Sequence, residues 1–336
     1  MYFYLSGDGV RFGFPPVGRK SEAYSIDALV GMLKRNIQFD KSATGIRLKK
    51  FGLALGVSPP FLSRANQLIF LCGANQNVGI PSARREAVKR FIENISPEYR
   101  VLYAETVFNE LSKIGSSRNV LDLEHEISNI ADKIVIILES ASAFCELGAF
   151  AHPTLRKKLI VINDSQFATS PSFINSGPIA AATEAKSPVL WYPMEIDGVS
   201  RLDGIGATFN ALKNAINPLS SSGSIKVTGD ISNLEPNKIS LYLVHDIVLF
   251  TGPVSYDELI AVLIAGFGQK SYDMLKRLLG VLRAADLIQS YQIDKDWIFK
   301  AVNPVPFLSY HSNIYSMMAS FRRFHFKTSP KRFVNV

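Results

Sequence analysis

The chain is poor in the residues that carry metal and redox chemistry. It has two cysteines, Cys72 and Cys145, each inside an apolar run, and five scattered histidines. That excludes a disulfide framework and points to reduced thiols; with no Cys-x-x-Cys spacing, no metal site is expected. No run of about 18 apolar residues occurs, so no membrane span is expected. The opening "MYFYLSGDGVRFGF" lacks the charged-then-apolar order of a secretory signal, and the expectation is a cytoplasmic protein.

What is present supports real cores: 47% of the 336 residues are hydrophobic, enough for two or three domains. Net charge is +8 and unevenly spread. Residues 1–66 carry ten Lys/Arg against four acids, residues 67–195 twelve against fourteen, and residues 196–336 fifteen against eleven. Basic ends around a near-neutral middle serve solubility. They also suit a chain whose ends meet a polyanion while the middle handles a small molecule.

Residues 1–66 read as an extension of unknown role, with "SGDG" and "FPPVG" turns, one amphipathic helix in "SIDALVGMLKRNI" and a basic "RLKK". Over 67–195 the pattern alternates. "QLIFLCG", "YRVLYAE", "KIVIILES" and "KKLIVIND" are strands, and "SARREAVKRFIENI", "VLDLEHEISNI" and "AFCELGAFAHP" are helices. Such alternation predicts a doubly wound parallel α/β sheet, with ligands beyond the carboxyl ends of its strands. "CGANQN", "AETVF" and "ESASAFCE" lie there, which makes Gly73, Asn75, Glu105, Ser140 and Ser142 candidate substrate contacts.

Residues 196–240 read as linker, richest in Ser, Gly, Asn and Pro over 217–238. Over 241–310 the order is helix, "GQK" turn, helix and alternating hairpin, as in a winged helix-turn-helix. Its second helix offers Lys276, Arg277 and Arg283 to nucleic acid; a small helical domain that contacts protein is the other reading. The tail 311–336 contains Arg322 and Arg323 in "SFRRFHFKTSPKRFVNV", where only basic charges interleave with Phe, as suits a solvated or base-stacking segment.

Three acids are candidates for chemistry. Glu146 is placed in the first turn of the helix after the third strand, where the helix dipole favours an ionised carboxylate. Such a group beside a sugar can attack or stabilise an oxocarbenium-like centre, although on position alone a simple helix-dipole acid is the favoured reading. Glu139 ends the strand and either orients Glu146, contacts a ribose hydroxyl or is simply an exposed strand end. Glu124 lies fifteen residues ahead of Glu139 in "DLEHE". Cys145, in an apolar setting without a neighbouring histidine, is expected to pack rather than react.

The motif "LESASAFCELGAFA" resembles the nucleophile motif of nucleoside 2-deoxyribosyltransferases. With "FLCG", "YAETVF", "LEHEISNIADKIVIILES", "KKLIVIND" and "SFINSGPI", it resembles the deoxyribosyltransferase-like effectors of bacterial retrons, which also carry a C-terminal winged helix. The resemblance implies a Rossmann-like (flavodoxin-like) fold of the deoxyribosyltransferase type. Glu146 takes the nucleophile's position and Glu124 that of the acid assisting the leaving base, where the transferases usually have Asp. Gly73 takes that of the glycine over which substrate approaches. Ser142 and Ala143 stand where the family often has Gly-Ser or Gly-Thr, the loop from Glu139 to Glu146 is shorter, and an aspartate of the transferases has no counterpart, which favours hydrolysis over base exchange. The implied function is an antiphage toxin that cleaves the N-glycosidic bond of NAD+, as substrate rather than cofactor, or of a related nucleotide. The implied partners are a reverse transcriptase and its multicopy single-stranded DNA, in a higher-order assembly and without a membrane. The alternatives are a nucleotide-sensing, DNA-binding regulator without catalysis and a salvage transferase.

Overall fold

The computed structural model describes residues 26–39, 41–63, 66–115, 119–216, 225–227, 229–293 and 296–333. The "SGDG" and "FPPVG" turns, the centre of the Ser-rich loop at 217–224 and the hairpin tip at 294–295 lie outside them.

Helices α1 (Ile26–Gln38) and α2 (Ala43–Val57) precede a short strand β1 (Phe61–Leu62). The central unit begins with β2 (Gln67–Cys72), β3 (Asn75–Asn77), β4 (Ile80–Pro81), α3 (Ala83–Ile95), β5 (Tyr99–Leu102) and α4 (Ala104–Lys113). It continues through α5 (Val120–Ile130), β6 (Lys133–Ile137), α6 (Ala141–Phe150), β7 (Leu159–Asp164), α7 (Ala180–Glu184), β8 (Val189–Tyr192) and α8 (Phe209–Ile216). After β9 (Ile225–Lys226) come α9 (Lys238–Thr251), β10 (Val254–Ser255), α10 (Tyr256–Phe267) and α11 (Met274–Ala284). The hairpin β11 (Ile288–Ile293) and β12 (Asp296–Ala301), strand β13 (Leu308–Ser309) and α12 (Ile314–Thr328) end the chain.

Five strands pair in parallel in the order β5-β2-β6-β7-β8. The doubly wound sheet expected from the alternation is therefore present, with β8 as a fifth strand beyond the four read from the sequence. Its central strands β2, β6 and β7 are buried on both faces, as expected of an all-parallel sheet. Leu68, Phe70, Ile134 and Ile136 point into a core shared with α4 to α7, while Ile69, Leu71, Val135 and Ile137 face α3 and α8. Helix α8 thus comes from the stretch expected as linker.

The first core does not stop at the sheet. It runs on through α9, α10, α11 and α12, and takes in Leu33, Ile37, Leu48 and Phe51 of α1 and α2. Residues 26–57 therefore pack with the C-terminal helices rather than trailing from the chain. Lys238 at the start of α9 pairs with Asp132 at 2.6 Å, and the Tyr242 hydroxyl accepts from the Asn66 N–H at 2.8 Å. Beyond α9, strands β10, β12 and β11 form a small antiparallel sheet in that order. The stretch expected as a solvated tail is mostly α12, and Arg332 beyond it is buried against Glu258 at 2.6 Å.

Among the described residues no helix is long and apolar enough to cross a membrane.

Candidate active site

In an open parallel sheet the strand order reverses at one point, and the crevice there takes ligand. Here that point lies between β2 and β6, whose neighbours leave in opposite directions. A cleft of about 230 Å³ opens beside it, lined by Gly73, Arg85, Glu105, Glu124, Ser142 and Glu146. Of the acids expected to act together, Glu146 and Glu124 do share this space, and Glu105 joins them.

Ser140 caps α6, its hydroxyl accepting from the Ala143 N–H at 3.3 Å and lying 2.9 Å from the Ser142 hydroxyl. With the cap at Ser140, Glu146 falls in the second turn of α6, not the first. The expectation that the helix start keeps it anionic is overturned. Burial, and then the neighbouring Glu124 carboxyl, push Glu146 up to about 8; Arg85 and the Cys72 thiol pull only partly the other way. Its Oε2 is buried and has no hydrogen-bond partner. Burial and Glu105 also raise Glu124. The cleft is a carboxylate cluster with too little positive charge to ionise fully.

That positive charge is Arg85, in the first turn of α3. Its guanidinium donates to Glu105 at 2.8 and 3.3 Å, to the Asn75 side-chain oxygen at 2.6 Å and to the Leu71 carbonyl at 3.1 Å, and lies 4.4 Å from the centre of the Tyr103 ring. Sequence reasoning missed it. The signal was available: two arginines in the first turn of a helix oppose its dipole, and such a placement needs acidic partners.

Glu139 is placed differently from Glu146. Its side chain is fully buried outside the cleft lining and accepts from the Ala74 N–H at 3.0 Å, the Ser82 hydroxyl at 2.6 Å and Arg84 at 3.1 Å. Arg84 also pairs with Asp203 at 2.8 Å, which accepts from the Tyr192 hydroxyl. This network fixes the loop after β2. Gly73 belongs to it, because a Cβ there would meet Glu139 Oε1 at 2.9 Å and Arg85 Cγ at 3.0 Å. Cys145 is exposed, against the expectation that it packs, and the buried thiol is Cys72, raised well above its ordinary range by burial.

The candidate nucleic-acid residues separate into two groups. Arg277 pairs with Glu126 of α5, and Arg283 with Glu110 of α4 at 3.1 Å, so α11 is docked on the helices that line the cleft. Lys276 lies 5.1 Å from the centre of the Tyr256 ring. Arg322 and Arg323 are exposed on α12.

Fold and cleft together define a doubly wound α/β protein with an acid-lined crevice at its switch point and a helical module clamped beside it. The chain belongs to the STM3845 retron effector protein family, whose model matches residues 81–290. It is 37% identical over 286 residues to the Escherichia coli protein named "Retron Ec73 putative ribosyltransferase/DNA-binding protein", covering 79% of this chain and 87% of that one. The retron Ec86 protein of Escherichia coli, named in the same terms, is 36% identical over 112 residues, or 33% of this chain and 36% of that one.

Proposed function

We propose that the chain is an N-glycosidase effector of an antiphage retron that cleaves NAD+, controlled by a reverse transcriptase and its multicopy single-stranded DNA. The observation that carries this reading is the cleft's charge: Glu105, Glu124 and Glu146 converge on a crevice whose nearest cation, Arg85, is already paired. Such a site favours a substrate that is itself cationic at the reacting end, as the nicotinamide ring of NAD+ is. The arriving cation offsets Glu124 and lowers the Glu146 pKa toward the ionised form. Glu146 then attacks C1′, or stabilises it as the N-glycosidic bond breaks. The bonding pair leaves with nicotinamide, which departs neutral and needs no general acid. Water attacks C1′ next, releasing ADP-ribose and a proton and restoring the carboxylate. For a nucleoside or nucleotide as the runner-up substrate, Glu124, whose pKa is raised, would supply the proton to the leaving base.

The cleft volume fits one nucleoside-sized part of the dinucleotide, the remainder extending outward. Gly73, Asn75, Ser140 and Ser142 are proposed substrate contacts, and Glu139 a positioning residue for the loop that carries Gly73. Residues 67–195 form the proposed catalytic unit. The order α9, β10, α10, α11, β11, β12 supports reading 241–310 as a winged helix-turn-helix, proposed to meet nucleic acid. The names of the two relatives support a ribosyl-transfer site joined to a DNA-binding module.

Purified protein would be incubated with NAD+ and, separately, with deoxynucleosides, and released base quantified by chromatography. Glu146→Gln keeps the shape and removes the charge, so base release should fall by about a thousandfold or more. Glu139→Gln should cost less, and Cys145→Ala little. Normal release by Glu146→Gln would overturn the assignment; release from deoxynucleosides alone would move the substrate to the runner-up.

A further inference from the structure

Residues 297–336 contain neither Asp nor Glu, but they hold Lys300, Arg322, Arg323, Lys327, Lys331 and Arg332. Arg332 is committed to the interior, paired with Glu258. Of the others, Arg322, Arg323, Lys327 and Lys331 are exposed, and no ion pair to Arg322 or Arg323 occurs among the described residues. The positive charge of this segment has no neutralising acid within the segment, and Lys300, Arg322 and Arg323 share one groove.

That charge borders a shaped surface. A groove of about 790 Å³ runs between α12 and the chain leaving β12, lined by Lys300, Val302, Arg322, Arg323, Phe326 and Phe333. The volume is within the range of small-ligand sites, about 300–1,000 Å³. Phe326 is 63% exposed, and its ring stacks on Phe333 with centroids 4.9 Å apart and planes at 29°. An exposed Phe326 ring backed by the half-buried Phe333 and flanked by guanidinium groups offers a flat face to a base and charge to its phosphate.

We propose that this groove binds unpaired nucleotides of single-stranded DNA, with bases stacking on the Phe326–Phe333 pair and phosphates held by Arg322, Arg323 and Lys300. The proposal rests on the reading that the C-terminal module meets nucleic acid, and narrows the contact from α11 and the tail to the groove beside α12. Two observations favour that placement. Arg277 and Arg283 of α11 are paired with carboxylates of α5 and α4, so their charge is already answered within the chain. In a duplex the base faces are covered by their neighbours, so a ring-lined groove selects a strand whose bases are free.

The test uses the full chain and fluorescence anisotropy with a labelled single-stranded oligodeoxynucleotide of about 20 residues, longer than the usual single-module footprint, and with its duplex. The proteins are wild type, Phe326→Ala, the double variant Arg322→Glu/Arg323→Glu, and Lys276→Glu, each checked for folding by circular dichroism. The wild type should prefer the single strand. Phe326→Ala should weaken it by roughly tenfold or more, and the double variant should also lower the salt slope by about one to one and a half. Lys276→Glu should bind as wild type does. If Lys276→Glu loses binding while the groove variants keep it, or if the duplex is preferred, the groove is wrong and the nucleic-acid reading stands. If the wild type binds neither probe, that broader reading falls as well.

Discussion

At the scale of single residues, the cleft turns on the protonation of one carboxyl. With Glu146 at about 8, roughly a tenth of it is ionised at pH 7 in the free protein. A reaction that needs the carboxylate should therefore speed up as the proton is lost. We expect kcat/KM for base release to rise about tenfold per pH unit from 6 toward 8 and then level off, since kcat/KM reports the free enzyme. A profile flat over that range would mean that Glu146 does not act as an anion. The helices that carry Glu146 and Glu124 were legible in the sequence from strong strand and helix patterns, whereas the candidacy of the two acids for chemistry came from the family resemblance rather than from pattern. The state of charge was not legible, because it depends on partners from α3, α4 and α5 that only the folded chain assembles. Arg85 stood against its helix dipole in plain view, but which acid answers it was not legible, because Glu105 lies twenty residues away on another helix.

At the scale of elements, helix α11 is the piece that joins the two halves. Gly280 in its middle faces Leu111 of α4, and a Cβ added there would lie 2.8 Å from a Leu111 methyl carbon. Gly280→Leu should therefore push the helices apart and destabilise by about 1–3 kcal/mol, within the usual cost of overpacking. The check is a lower melting temperature in scanning calorimetry; an unchanged value would show that the interface yields freely. Elements with strong periodicity, such as β2, β6, β7 and α3, were read correctly from the sequence. Strand β8 was passed over because its apolar run, Val189 to Tyr192, is only four residues long and stands between Pro188 and Pro193, which read as loop chemistry.

At the scale of the whole molecule, the C-terminal segment is held from within. Arg332 pairs with Glu258 in a site where both side chains are 2% exposed or less, and His325 Nδ1 accepts from the Arg332 guanidinium at 3.3 Å. Burial, and then Arg332, push His325 down to about 4. The unfolded chain therefore binds a proton that the folded chain refuses between about pH 6.5 and 4, so stability falls as pH drops through that window. Burial alone would raise Glu258, yet Arg332 holds it below its ordinary range, so its protonation acts in the same direction. Melting temperature should decline from pH 7 to 5, and His325→Gln should flatten that decline; an equal slope in the variant would place the acid sensitivity elsewhere. The tail looked solvated in the sequence because its charges are visible there, whereas the acid that buries Arg332 stands 74 residues earlier.

Helices α4 and α5 carry Glu105 and Glu124 toward the cleft and receive Arg283 and Arg277 of α11 on another side. Any partner whose binding draws α11 away therefore works against the same two helices that shape the cleft. Two ligands coupled in this way share a single interaction free energy. Whatever factor the partner imposes on the affinity of a cleft ligand, that ligand must impose on the partner in return.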